Sequence, residues 1–134
     1  MHNMESRGDG AGGFHVIIVD DDRLSRRLLE RVLQRTGCET LCYARATTLL
    51  AEEEVAADAL ITDYLLGDHV EPSGLELARA MRAQGRARHV VILSGLPRDQ
   101  IQAELRDGED FYIMEKPAPF DTLRALLHGW GAPS

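Results

Sequence analysis

Short, wholly apolar runs alternate along this chain with stretches in which apolar side chains recur every three or four positions. The first run, Phe14-His15-Val16-Ile17-Ile18-Val19, is β-branched and too short for a helix, so it predicts a strand. Next, Leu24, Leu28, Leu29, Val32 and Leu33 form a helical stripe. They predict a helix from Asp22 or Arg23 to Arg35, with Gly37 just past its end. Glu39 to Tyr43 predicts a second strand, and the alanine- and leucine-rich stretch from Ala44 to Glu54 or Ala56 a second helix. Ala59 to Thr62 predicts a third strand that ends at Asp63. A loop with Gly67, Pro72 and Ser73 leads to a third helix carrying Leu75, Leu77, Ala78 and Met81, and Gly85 ends it. Val90-Val91-Ile92-Leu93 is apolar at every position, the pattern of a strand covered on both faces. Arg98 to Arg106 predicts a fourth helix, Phe111 to Met114 a fifth strand and Phe120 to His128 a fifth helix.

Five βα units in series imply an α/β fold, a doubly wound parallel sheet with helices on both faces. Residues 14–129 form that domain. The glycine-rich residues 1–13 are expected to be a disordered tail and 130–134 a short C-terminal tail. A chain of 134 residues can bury one real core.

The formal net charge of −7 argues against direct nucleic-acid binding or attraction to an anionic membrane. No apolar stretch approaches membrane-spanning length and no signal-peptide pattern is visible, so a cytoplasmic location and no membrane insertion are expected. Cys38 and Cys42 make no disulfide framework and read as reduced thiols. Arg79, Arg82, Arg86 and Arg88 read as surface charge.

Ligands of open parallel sheets bind beyond the carboxyl ends of the strands. That rule gathers the polar residues that end the runs: Asp20-Asp21-Asp22, Asp63, Ser94-Gly95 and Lys116-Pro117. Two carboxylates about 4 Å apart repel by roughly 4 kcal/mol at a surface-like dielectric, so a divalent cation is the simplest remedy. Hard oxygen donors suit magnesium, which shares phosphate oxygens. A lysine neutralises a phosphoryl group, a serine donates to it, and a carboxylate can take it up as an aspartyl phosphate.

These residues carry a resemblance. Val-Ile-Ile-Val-Asp-Asp-Asp at 16–22, Leu-Ile-Thr-Asp-Tyr at 60–64, Ser-Gly-Leu-Glu-Leu at 73–77, Val-Ile-Leu-Ser-Gly at 91–95 and Lys-Pro at 116–117 stand in the order of a receiver domain. The chain resembles the receiver domains of two-component response regulators over residues 14–129. The resemblance implies a flavodoxin-like sheet of order 2-1-3-4-5. It also implies that Asp63 accepts a phosphoryl group from the phosphohistidine of a histidine kinase or histidine phosphotransfer protein. Mg2+ would be held by Asp20, Asp21, Asp63 and the backbone carbonyl of Leu65. Ser94 would be the switch hydroxyl and Lys116 the phosphoryl-binding lysine, joined to Pro117 through a cis bond. Enzymatic action would be confined to self-phosphorylation and autodephosphorylation. An output protein or domain is implied but not identified, and a homodimer is left open.

Asp22 falls outside the implied metal pair and reads as the cap of the first helix. The basic patch Arg23, Arg26, Arg27 and Arg31, with Leu24 and Leu28, is either a docking face for the phosphodonor, as the family implies, or solvated charge. Leu65 and Leu96 stand where the family tunes phosphoryl lifetime. Neither can orient a water, so slow autodephosphorylation is expected. Three departures stand out. Gly74 lies eleven residues after Asp63 where the family uses about eight, making 64–73 an insertion of open role. Asp68, His69 and Glu71 within it read as solvated loop residues. Ile113 replaces the family's aromatic switch residue, beside Phe111 and Tyr112, and Ala118 replaces the aromatic after Lys-Pro. Strand alternation sets Phe111 and Ile113 on one face and Tyr112 on the other.

Two other readings remain at this stage. Asp20-x-Asp22 superficially fits a small haloacid-dehalogenase-like Mg2+-dependent phosphohydrolase with Asp20 as nucleophile. A non-phosphorylated receiver-like interaction module is the third.

Overall fold

The computed structural model describes residues 13–66 and 72–133. Residues 1–12, 67–71 and 134 lie outside that range, and with them most of the expected N-terminal tail and the loop residues Asp68, His69 and Glu71. The elements are β1 His15–Val19, α1 Arg23–Arg35, β2 Glu39–Tyr43, α2 Ala46–Ala51, β3 Ala57–Asp63, α3 Gly74–Ala83, β4 Ala87–Ser94, α4 Arg98–Gln102, β5 Tyr112–Glu115 and α5 Phe120–Gly129. The five strands are all parallel, in the order 2-1-3-4-5. That is the flavodoxin-like arrangement.

Why the centres of β1, β3 and β4 are apolar on both faces is now visible. Ile17 and Val19 of β1, Leu60 of β3 and Ile92 of β4 face α2, α3 and α4, through Leu49, Leu77, Met81 and Ile101. Their neighbours Val16, Ile18, Ile61 and Val91 face α1 and α5, through Leu29, Leu33, Leu123 and Leu127. Period-two alternation thus serves two cores, one on each face of the sheet. Phe111 and Ile113 lie in the first core, while Tyr112 packs against the second.

Two helices are shorter than the pattern predicts. The second ends at Ala51, just before the three consecutive glutamates 52–54, rather than near Glu54. Its freed carbonyls are taken by Arg86, which donates to the carbonyl oxygens of Leu49, Val55 and Glu52 at 2.7–2.8 Å and to Gln84 Oε1 at 2.7 Å. Arg86 is 4% exposed, so its reading as surface charge is corrected. A helix whose last carbonyls lack caps needs some donor, and this one is buried. Arg79 and Arg82 are also engaged, in ion pairs with Glu109 and Asp110. The fourth helix stops at Gln102, well before Arg106. Conversely, β3 and β4 run longer than their apolar centres, because Asp58 and Arg88-His89 sit within the ladder. Past α5, Trp130 stacks on His89 with ring centroids 4.4 Å apart, and Ala132 is buried.

Candidate functional site

The carboxyl ends of β1, β3, β4 and β5 converge at one edge of the sheet, since those strands are neighbours in parallel register. Asp20 follows β1 and is 3% exposed. Its Oδ1 accepts from the backbone N–H of Asp22 at 2.9 Å, and its carbonyl accepts from Arg26 Nη1 at 2.7 Å. These bonds fix the carboxylate before any ligand arrives. Asp22 turns the other way and caps α1, its carboxylate accepting from the N–H of Ser25 at 3.0 Å. Hydrogen bonding from the Ser25 side chain, and then from its backbone N–H, holds the Asp22 pKa below the ordinary value. The three aspartates therefore divide by role.

Asp63 closes β3, with its side chain 10% exposed. The backbone after it is pinned on both sides: Tyr64 N donates to Leu93 O, and Gly74 N donates to Tyr64 O, each at 2.7 Å. A Cβ at Gly74 would lie 2.0 Å from the Asp63 carbonyl oxygen, so only glycine permits this closure. The insertion is longer than the family pattern, yet its end returns against the acceptor. Ser73 and Glu76 complete a reciprocal capping box that starts α3 at this point.

Ser94 ends β4 and is buried, its Oγ accepting from Leu96 N at 2.9 Å. Lys116 follows β5, anchored by its N–H to the Ser94 carbonyl at 2.8 Å. The Lys116–Pro117 bond is cis. Lys116 Nζ reaches Asp63 Oδ1 at 2.9 Å.

Asp20, Asp21 and Asp63 each offer a carboxylate oxygen, and these atoms all lie within 4.8 Å of one another. Burial raises the pKa of Asp63, and Lys116 pulls against it without prevailing. Burial likewise raises Asp20, against the Asp22 N–H and Lys116. Lys116 is more open, with 34% of its side chain exposed. Burial disfavours its charge, but the hydrogen bond to Asp63 and the charges of Asp63, Asp20 and Asp21 raise its pKa overall. One lysine thus faces three carboxylates, two of them desolvated. The excess negative charge and the hard oxygen donors fit a small divalent cation. Leu65 and Leu96 stand at the rim with exposed side chains, 63% and 38%.

Beside the acidic pocket, a cavity of about 440 Å³ opens between α1 and α5. Asp20 and Lys116 are among its lining residues, with the apolar side chains of Leu28, Leu29, Leu93 and Phe120. Leu24 and Leu28 on α1 are 77% and 53% exposed.

Two residues near the site escaped the sequence reading. Tyr64, directly after Asp63, hydrogen-bonds through its hydroxyl to both carboxylate oxygens of Glu104 at 2.8 Å. Thr62 is buried and donates to the Asp63 carbonyl at 3.0 Å. The Tyr64 partner lies forty residues on, so nothing in the local pattern marks it, and Thr62 bonds only to its neighbour. The two cysteines are free thiols, as expected.

Comparison with known proteins bears on the whole domain. Residues 16–128 match the family model described as the response regulator receiver domain. The chain is 27% identical to two-component response regulator ARR6 of Arabidopsis thaliana over 92% of its length and 73% of that protein's. It is 28% identical to chemotaxis protein CheY of Pseudomonas aeruginosa, over 84% of this chain and 91% of that one. The fold superposes on the receiver domain of the Francisella response regulator 1452 with a TM-score of 0.74 and 22% identity, covering 87% and 95% of the two chains. No helix among the described residues is long and apolar enough to cross a membrane. With the sheet order, the strand-end residues and the family model in agreement, the chain belongs to the response regulator receiver domain family, whose members serve phosphorylation-dependent signalling in two-component systems.

Proposed function

We propose that this domain is a switch in which Asp63 takes a phosphoryl group from the phosphohistidine of a histidine kinase or phosphotransfer protein in the cytoplasm. The observation that supports this reading best is the meeting of Asp20, Asp21 and Asp63 within 4.8 Å, with Lys116 Nζ 2.9 Å from Asp63. Mg2+ would be held by Asp20, Asp21, Asp63 and the Leu65 carbonyl, and when bound it supplies positive charge to the phosphoryl oxygens. An Asp63 oxygen forms the O–P bond as the N–P bond to the donor histidine breaks. Lys116, already seated on Asp63, exchanges part of that contact for the incoming phosphoryl oxygens. Ser94 donates its hydroxyl proton to one of them.

Leu65 and Leu96 place no polar group where water would attack, so the aspartyl phosphate persists. Leu65→Asn should shorten its lifetime several-fold; an unchanged, rapid decay in both proteins would remove this part of the reading. The exposed leucines of α1 and the apolar cavity beside Asp20 offer the donor's helix a docking face next to Asp63.

The test is covalent labelling with acetyl phosphate and Mg2+, followed by mass mapping after borohydride trapping. Label at Asp63, abolished by Asp63→Asn or by chelation, is the expected result. Label retained at Asp20 in the Asp63→Asn protein would favour the phosphohydrolase chemistry, and no label on either would favour a non-phosphorylated interaction module.

A further inference from the structure

The short helix α4 is anchored at both ends. At its start, the Ser94 hydroxyl holds Leu96 N at 2.9 Å, and Glu115 accepts from Arg98 N at 2.7 Å. At its far end, Glu104 is held twice: its carboxylate by the Tyr64 hydroxyl, and its carbonyl by Arg79 Nη2 at 2.9 Å. Arg79 itself is bound by Glu109, at 2.7 and 3.1 Å. The segment after α4 is therefore fastened to α3 and, through Tyr64, to the residue that follows Asp63.

We infer that the Tyr64–Glu104 hydrogen bond is a resting-state latch that sets how readily α4 yields when Asp63 is occupied. The inference rests on the switch reading of Asp63 and Ser94. When Ser94 turns to a phosphoryl oxygen it gives up Leu96 N, and the start of α4 is released. A five-residue helix cannot bend, so it moves only if its far anchor gives as well. Tyr64 cannot follow it, because its N–H and carbonyl are committed to Leu93 and Gly74. The Tyr64–Glu104 bond must then stretch or break. An interaction made only in the resting state lowers the affinity for whatever stabilises the other state, by the same factor. Ile113 offers no ring on β5 to take over this coupling, whereas the Tyr64 ring lies against the same core as Ile101 and Ile113.

The experiment is a titration of the full chain with beryllofluoride at saturating Mg2+, for wild type, Tyr64→Phe, Glu104→Ala and the double variant. Tyr64→Phe keeps the ring in the core, and Glu104 is exposed, so each variant is expected to fold. Each single change should tighten beryllofluoride binding by about two- to fivefold, the range for loss of one exposed, solvent-screened contact to a charged group. The double variant should do no more than either single one. Amide exchange in residues 98–105 should quicken in the unliganded single variants. Equal affinity in all four proteins, weaker binding in the variants, or additive effects would overturn the latch while leaving the switch intact. No beryllofluoride binding by wild type would overturn both.

Discussion

Arg86 shows how much one residue can carry without any signal in its neighbourhood. It stands between Gly85 and Ala87 in a chain rich in surface arginine, and nothing local says that it is buried. Its partners are carbonyls of α2 and the turn after it, more than thirty residues upstream. Arg86→Met should cost about 3 kcal/mol, since it strands several buried acceptors at once. Urea unfolding checks this, and a change below 1 kcal/mol would contradict the assignment. Arg86→Lys should recover only part, because an ammonium cannot match a planar fork. The aspartates were more legible: their order in sequence reflects a strand end, and strand ends are where such sheets place their chemistry. Cys42 is the converse case, a plain thiol in sequence whose pKa is pushed up to about 12 by burial and by Glu30. Thiolate is then only about one part in ten thousand at pH 8. Alkylation of Cys42 should be slow there and rise tenfold per pH unit up to about pH 11. Rapid labelling at pH 8 would show that the side chain is not held as described.

At the scale of elements, type and order were readable, and so were the bounds of α1 and β2, but the lengths of α2, α4, β3 and β4 were not. Helical and strand periods depend on which face is buried, and the two cores fix that for every strand. Where a helix stops depends on what takes its last carbonyls. For α2 that partner is Arg86; for α4 the chain turns at Ala103 and is clamped by Arg79 beyond. The start of α3 was set by Ser73 and Glu76, a capping signal present in the sequence but unread there. On α1 the stripe that packs inward leaves Leu24 and Leu28 outside, an arrangement that costs solubility unless something covers it. If a phosphodonor helix does so, Leu28→Asp should slow phosphotransfer from the cognate kinase at least tenfold. Labelling by acetyl phosphate, which needs no docking, should be nearly unchanged. Equal loss with both donors would mean that Leu28 supports the pocket rather than the partner.

For the molecule as a whole, the acidic pocket trades stability for function. The two cores hold three carboxylates at the sheet edge, two of them desolvated, with Lys116 as the cation that reaches Asp63. Without a metal, their mutual repulsion opposes folding; with one, it becomes binding energy that only the folded state can use. Two effects of opposite sign follow for one substitution. Asp20→Asn should raise the melting temperature of the metal-free protein, because a buried charge and its repulsion of Asp63 are removed. The same change should flatten the response to Mg2+. In wild type, Mg2+ at a hundred times its dissociation constant adds about 2.7 kcal/mol, a rise on the order of 10 °C for a domain of this size. Calcium, a second hard divalent cation with longer bonds to oxygen, tests whether the pocket selects by size. Scanning calorimetry of both proteins, with chelator and with each cation, measures all of these together. A wild-type melting temperature indifferent to Mg2+, or an Asp20→Asn protein less stable than wild type in chelator, would mean that these carboxylates are held by the fold's own partners and not in wait for a cation.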